Sequence, residues 1–250
     1  MRRIRVTASM LALTALLAGC GLGEIAQRFD REPSATVEAP DPATVADDVV
    51  AKAQPSVVKV RGEAESCQKL TEGSGFVVAP NKVMTNAHVA AGAETFSVDV
   101  GDKTYEAQVN SFDPQVDISI LNVPDLSALP LPLAEYTAGT GTDALVLGYP
   151  AGASFTAGPA QIRQVTELNG PDVYRTAPVT RQVYILAGSF PQSGFSGSAV
   201  VNLNGQVLGV YFGAETTDST TGFALTAAQV ASQMAKADRT QTADTGACVS

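Results

Sequence analysis

Residues 192–200 read QSGFSGSAV, and the neighbours of Ser196 in this stretch decide the fold. A Gly-x-Ser-x-Gly motif on a sharp strand-to-helix turn would require alternating strands and helices around a parallel sheet. Here the residue two after Ser196 is Ser198, and no such alternation surrounds it. The stretch reads instead as a glycine-rich turn feeding a short strand over 198–202, with Gly194 free to adopt the backbone turn that aims an N–H group outward.

Outward from this turn the chain is a succession of short strands punctuated by Gly, Pro and Asn/Asp, the pattern of an all-β barrel or sandwich. Residues 57–61, 75–78, 82–85, 95–100, 104–109 and 116–121 form one set of candidate strands. Residues 143–148, 161–168, 181–186, 198–202, 206–213 and 222–225 form a second, and the stretch between the sets has no long periodic run. Two sheets of about six strands are implied. Thr44 can cap a short helix ending near Ala53, before Pro55, and Thr226 can cap a helix over 226–238 with Ala227, Val230 and Met234 along one side.

With 250 residues, 45% of them hydrophobic, the chain can bury one large or two small cores. Its formal charge of −9 repels phosphate backbones and excludes nucleic acid as an expected partner. The N-terminus, MRRIRVTASMLALTALLAGC, places three arginines before an apolar run too short for a stable membrane span, which marks an export signal over 1–19. Its end, Leu17-Ala18-Gly19-Cys20, resembles the lipobox of bacterial lipoproteins, implying a lipid on Cys20; cleavage elsewhere is the alternative. The chain has three cysteines, and an odd number in an exported protein requires a separate use for one. Lipidation takes Cys20 and leaves Cys67 and Cys248 as a disulfide pair, or else as two independent buried thiols. Residues 20–43, acidic and rich in Pro and Ala, read as a flexible tether to a domain over 44–249. That domain divides into a first barrel at about 55–122, a linker at 123–142, a second barrel at 143–225 and the final helix.

The single histidine, His88, lies in TNAHV directly after an apolar strand. With the cysteines paired, one histidine argues against a zinc site, and no metal or organic cofactor is expected. In DPQVDISIL, alternation puts Val116, Ile118 and Ile120 on one strand face and Asp117 on the other, at a strand mouth where it can orient a histidine. Asp113 begins the turn DPQ and reads as a solvent-facing charge.

The segments GSGFVVAPNKVMTNAHVAAG, DPQVDISIL, LGYPAG, GFSGSAVVN and GVYFGAETTDSTTGFALT together resemble the trypsin-like serine proteases of the bacterial cell envelope, and among them the actinobacterial periplasmic acid-resistance protease (MarP) group. The order His88, Asp117, Ser196 is also that of chymotrypsin-like proteases. The resemblance implies two six-stranded antiparallel barrels and a serine endopeptidase. It makes His88 the general base, Asp117 its orienter and Ser196 the nucleophile, with the backbone N–H groups of Gly194 and Ser196 as oxyanion hole. It also implies a substrate pocket with Phe190 near its base, Val210, Tyr211, Phe212 and Gly213 on the edge that pairs with substrate, and Gly222, Phe223 and Ala224 as a wall. None of these is acidic, so a small or apolar side chain before the cut bond is expected. The sequence departs from the family at Phe195 and Ser198, where an acid or amide and a glycine are usual. A Ser198 forced into a glycine conformation would distort the oxyanion hole, and a non-catalytic binding lipoprotein on the same scaffold is the competing reading. Partners are peptide or protein substrates and, through the lipid, the outer face of the cytoplasmic membrane; the oligomeric state is unspecified.

Overall fold

The computed structural model describes residues 47–150, 154–191, 193–236 and 241–248. The export signal, Cys20, the tether, the Thr44 cap and positions 237–238 of the expected final helix lie outside them.

The first barrel closes in the order β1–β2–β3–β6–β5–β4, from β1 (Val57–Ala64), β2 (Lys69–Ala79), β3 (Lys82–Thr85), β4 (Thr95–Val100), β5 (Lys103–Asp113) and β6 (Ile118–Asn122). The second closes as β10–β11–β12–β9–β8–β7, from β7 (Asp143–Gly148), β8 (Thr156–Pro171), β9 (Pro178–Gly188), β10 (Ala199–Asn202), β11 (Val207–Ala214) and β12 (Thr221–Thr226). All pairings are antiparallel. Closure leaves each barrel without long unpaired edges.

Every candidate strand is present, but several run further than their apolar cores. The β8–β9 hairpin pairs Thr166 with Val183 and continues out to Pro171 opposite Pro178, a polar extension that hydrophobic alternation does not announce. In contrast β6 starts two residues late, at Ile118. Asp117 has φ +65°, outside the extended region, so it belongs to the preceding turn rather than to the strand mouth expected for it.

Side chains divide among three clusters. Val58, Val60, Val77, Val98 and Leu121 fill the first barrel, and Val146, Ile162, Tyr184, Leu186 and Leu208 fill the second. Between them Phe76, Met84, Ile118 and Ile120 meet Leu145, Leu147, Val201 and Leu225 in a third cluster that joins the barrels. The helix α1 (Asp47–Ala53) contributes Ala53 to this seam, and α3 (Ala227–Met234) contributes Val230. The Thr226 hydroxyl caps α3 by accepting from the Gln229 N–H at 3.1 Å.

After α3 the chain returns to the first barrel. The Ala243 N–H donates to Val109 O, the Gly92 N–H to Thr245 O, and the Thr245 hydroxyl to Ala93 O, at 2.7, 3.0 and 2.9 Å. These contacts bring Cys248 to Cys67, and the two form a disulfide with Cα atoms 6.6 Å apart across 181 residues. Because the bridge closes nearly the whole domain, its loss should cost about 2–5 kcal/mol. Urea unfolding of oxidised protein against a Cys67→Ser/Cys248→Ser variant measures this as a lower midpoint, and peptide mapping without reductant should find neither thiol free.

Candidate active site

His88 sits in a single helical turn, α2 (Ala87–Ala90), that follows β3 directly. Its Nδ1 lies 3.1 and 2.9 Å from the two carboxylate oxygens of Asp117, and its backbone N–H donates to Asp117 Oδ1 at 2.9 Å. Clasped in this way, Nδ1 carries a proton and leaves Nε2 as the ring nitrogen free for chemistry. The His88 side chain is 34% exposed and that of Asp117 only 9%; one can be reached from solvent while the other is sealed behind it. Burial lowers the imidazole pKa, but the Asp117 charge and hydrogen bond outweigh both that and the Arg181 charge, so the net shift is upward.

The turn that carries Asp117 is held from several sides. Its N–H donates to Asp113 O at 2.9 Å, which closes the turn, and the buried Asn86 amide donates to its carbonyl at 3.0 Å. Asp113 Oδ1 accepts from the N–H groups of Gln115 and Val116, as its place at the start of DPQ implies. It is not merely a solvent-facing charge, because Oδ2 accepts from Gln233 and Lys236 at the end of α3. Burial alone would raise the Asp113 carboxyl; these donors more than offset it and hold it below the usual carboxylate range. From the second barrel, Arg181 donates to the carbonyls of Gln115, Pro114 and Pro171, and the Val173 N–H donates to Pro114 O. Asn86 and Arg181 were not among the expected site residues. The TNAH stretch could have suggested Asn86, whereas nothing local to Arg181 signals its reach across the barrels.

Ser196 lies on the loop between β9 and β10, with Gly194 and Gly197 on either side at φ +85° and +86°. A side chain at Gly197 would collide with Ser74 O, so glycine is required there by conformation and by space. The N–H groups of Gly197 and Ser198 donate to Tyr211 O and Phe195 O, both at 2.9 Å. Those of Gly194 and Ser196 have no acceptor among the described residues. Two unspent donors therefore lie in the loop that carries Ser196. Ser196 and α2 meet on β2: a Cβ added at Gly73 would lie 2.7 Å from Val89 and 3.0 Å from Ser196 O. Ser198 does not take a positive φ. Its buried hydroxyl rests in the space left by the missing side chain of Gly148 and makes no hydrogen bond.

The expected pocket residues separate by strand face, because neighbours on a strand point to opposite sides. Phe190, Tyr211 and Ala224 pack together in the second barrel, with the Phe190 and Tyr211 rings stacked at 5.4 Å and the Phe195 ring edge-on to Tyr211. Gly222 lies against both stacked rings and Gly188 against Phe190. Val210 faces the seam between the barrels instead, with Phe212 packed against the same cluster, and the Phe223 ring lies 6.1 Å from that of Phe212. Past Tyr211, β11 continues to Ala214 while its antiparallel neighbour β10 begins only at Ala199, opposite Val210, so Phe212 and Gly213 have no β10 partner on that side. Among the described residues no group of three or more His, Cys, Asp or Glu is arranged to hold a metal ion.

A family model for the trypsin-like peptidase domain matches residues 73–210. The serine protease Rv3671c of Mycobacterium tuberculosis is 53% identical over 239 residues, an alignment spanning 95% of this chain and 60% of that protein's length. The crystal structure of the active form of the Rv3671c protease aligns with a TM-score of 0.85 at 53% identity, over 89% of this chain and 98% of that one. The inactive form aligns with a TM-score of 0.71 at 51% identity, over 80% and 98%. These matches agree with the closed pair of barrels: the chain belongs to the trypsin-like serine peptidase family.

Proposed function

We propose that the chain is a serine endopeptidase in which His88, Asp117 and Ser196 form the catalytic triad. The observation that carries this reading is the His88–Asp117 contact: both carboxylate oxygens fix one ring nitrogen and leave the other for the nucleophile. His88 Nε2 takes the Ser196 proton as Oγ attacks the peptide carbonyl carbon, and the oxyanion that develops accepts from the unspent N–H groups of Gly194 and Ser196. The protonated imidazole then gives its proton to the leaving amine, and water, deprotonated by the same nitrogen, hydrolyses the acyl-enzyme. The binding-module alternative drew on strain at Ser198, and that residue takes no strained φ.

Substrate adds as a strand along the open side of Phe212 and Gly213. Because the Phe190 ring lies over Gly188 and Gly222 and no acidic residue stands among the pocket positions, the residue before the cut bond is small or apolar. The arginine-led apolar leader and the LAGC motif at Cys20 support a lipid-anchored enzyme on the outer face of the cytoplasmic membrane, acting on envelope or exported proteins.

A fluorophosphonate probe should label Ser196. Ser196→Ala should abolish labelling, and Asp117→Asn should lower turnover by about 10⁴ by favouring the wrong imidazole tautomer; a folded, oxidised protein that labels at no serine and cleaves no unfolded substrate overturns the reading. Catalysis needs neutral His88, so kcat/KM should fall as pH drops through an imidazole pKa above the ordinary 6.5. The stability gained from the charged pair has the opposite sense: it is complete below 6.5 and disappears as pH rises through the raised value. Arg181→Gln removes a nearby positive charge and should move both midpoints further upward, read by pH profiles and by NMR titration of the single imidazole. Cys20→Ala should release the protein from membranes and remove the lipid mass from its N-terminal peptide.

A further inference from the structure

We propose that Ser74, on β2, is a positioning residue for the oxyanion-binding backbone; the inference rests on the protease reading above. Ser74 is fully buried, and each of its polar groups bonds to a different residue at the junction of the barrels. Its N–H donates to Ser196 O at 2.8 Å, and its hydroxyl donates to Gly194 O at 2.9 Å. The same hydroxyl accepts from the Tyr149 N–H at 2.8 Å, and the Ser74 carbonyl accepts from the Thr85 hydroxyl at 2.7 Å. Thr85 ends the strand that leads to His88, and Tyr149 follows β7 of the second barrel.

The arrangement determines where the hydroxyl proton goes. With one lone pair engaged by the Tyr149 N–H, the proton is directed to Gly194 O. That carbonyl belongs to the peptide unit between Gly194 and Phe195, and the carbonyl of Ser196 belongs to the unit between Ser196 and Gly197. Ser74 therefore holds two alternate peptide units of the loop, and the unit bearing the Ser196 N–H is suspended between them. The first held unit also sets ψ at Gly194, and the left-handed φ of +85° there turns the preceding unit, with its N–H, relative to the held one. Both unspent donors thus take their orientation from a first-barrel residue that touches no reacting atom. Without the hydroxyl, the Gly194 carbonyl loses its partner and the unit can rotate about the glycine at little steric cost.

The test is Ser74→Ala in the full chain with its disulfide formed. Removing an oxyanion donor outright costs about a hundredfold to a thousandfold in kcat, and misorienting donors costs less: kcat should fall about tenfold to a hundredfold, with KM within about twofold of wild type. The acid limb of the pH profile should not move, because His88 and Asp117 keep their contacts. Amide exchange at Gly197 and Ser198, whose N–H groups donate to Tyr211 O on β11 and to Phe195 O in the loop, should accelerate, while the His88 turn keeps its protection. Ser74→Cys, a weaker donor of similar size, should show the same pattern at smaller amplitude. Unchanged kcat in a folded variant, a loss confined to KM, a shifted acid limb, or failure of both variants to fold would each overturn the proposal. Wild-type protein that neither labels at Ser196 nor cleaves peptide would defeat the protease reading instead. The exchange data would still decide whether Ser74 orders the loop: unchanged exchange removes that role and accelerated exchange retains it.

Discussion

Asp117 can hold His88 in one orientation because the turn from Asp113 to Asp117 is itself held still. A left-handed aspartate is conformationally costly outside a context that fixes it, and here the Asp113 carbonyl, the Asn86 amide and the Arg181 guanidinium supply that context. The turn is also where three distant parts of the chain meet: the first barrel makes it, the β8–β9 hairpin covers it, and α3 ties down its first residue. The same constraint explains why the hairpin is so long, since a barrel strand ending at the apolar core would not reach Pro114.

In the proposed triad the barrels divide the chemistry. His88 and Asp117 lie within 30 residues of each other in the first, and their contact needs only β3, α2 and the turn before β6. Ser196 comes from the second, so its register with the imidazole depends on the apolar seam and on the few polar bonds that cross it. Apolar packing supplies cohesion without direction, whereas hydrogen bonds supply direction. Ser74 lies where both are needed, inside the interface and against the loop.

What could be read along the sequence was whatever local pattern encodes. Strands over 82–85, 95–100 and 143–148 have their expected bounds because apolar periodicity ends there at clear turn residues. Thr226 caps its helix as its place before AAQV implies. The three residues of the proposed triad, His88, Asp117 and Ser196, each lie in a short recognisable stretch. Other features depend on residues far away in the chain. Asp117 was expected on a strand because alternation cannot register a positive φ. The sequence groups Val210 with the substrate edge but does not show that its side chain faces the seam, since neighbours along a run point to opposite sides. Arg181 and Ser74 escaped because their importance is set by carbonyls 66 and 120 residues distant.

The fit between Gly148 and Ser198 has a consequence for how this sequence can change. A methyl group at 148 would overlap the Ser198 hydroxyl and press on that of Ser74, while a glycine at 198 would leave the adjoining space unfilled. Neither position can drift alone without cost, and a joint exchange of the small and larger residue removes the overlap between them while still requiring the Ser74 hydroxyl to shift. Fifty residues apart, they form one unit of inheritance, in which the tolerated residue at either site depends on what the other already holds.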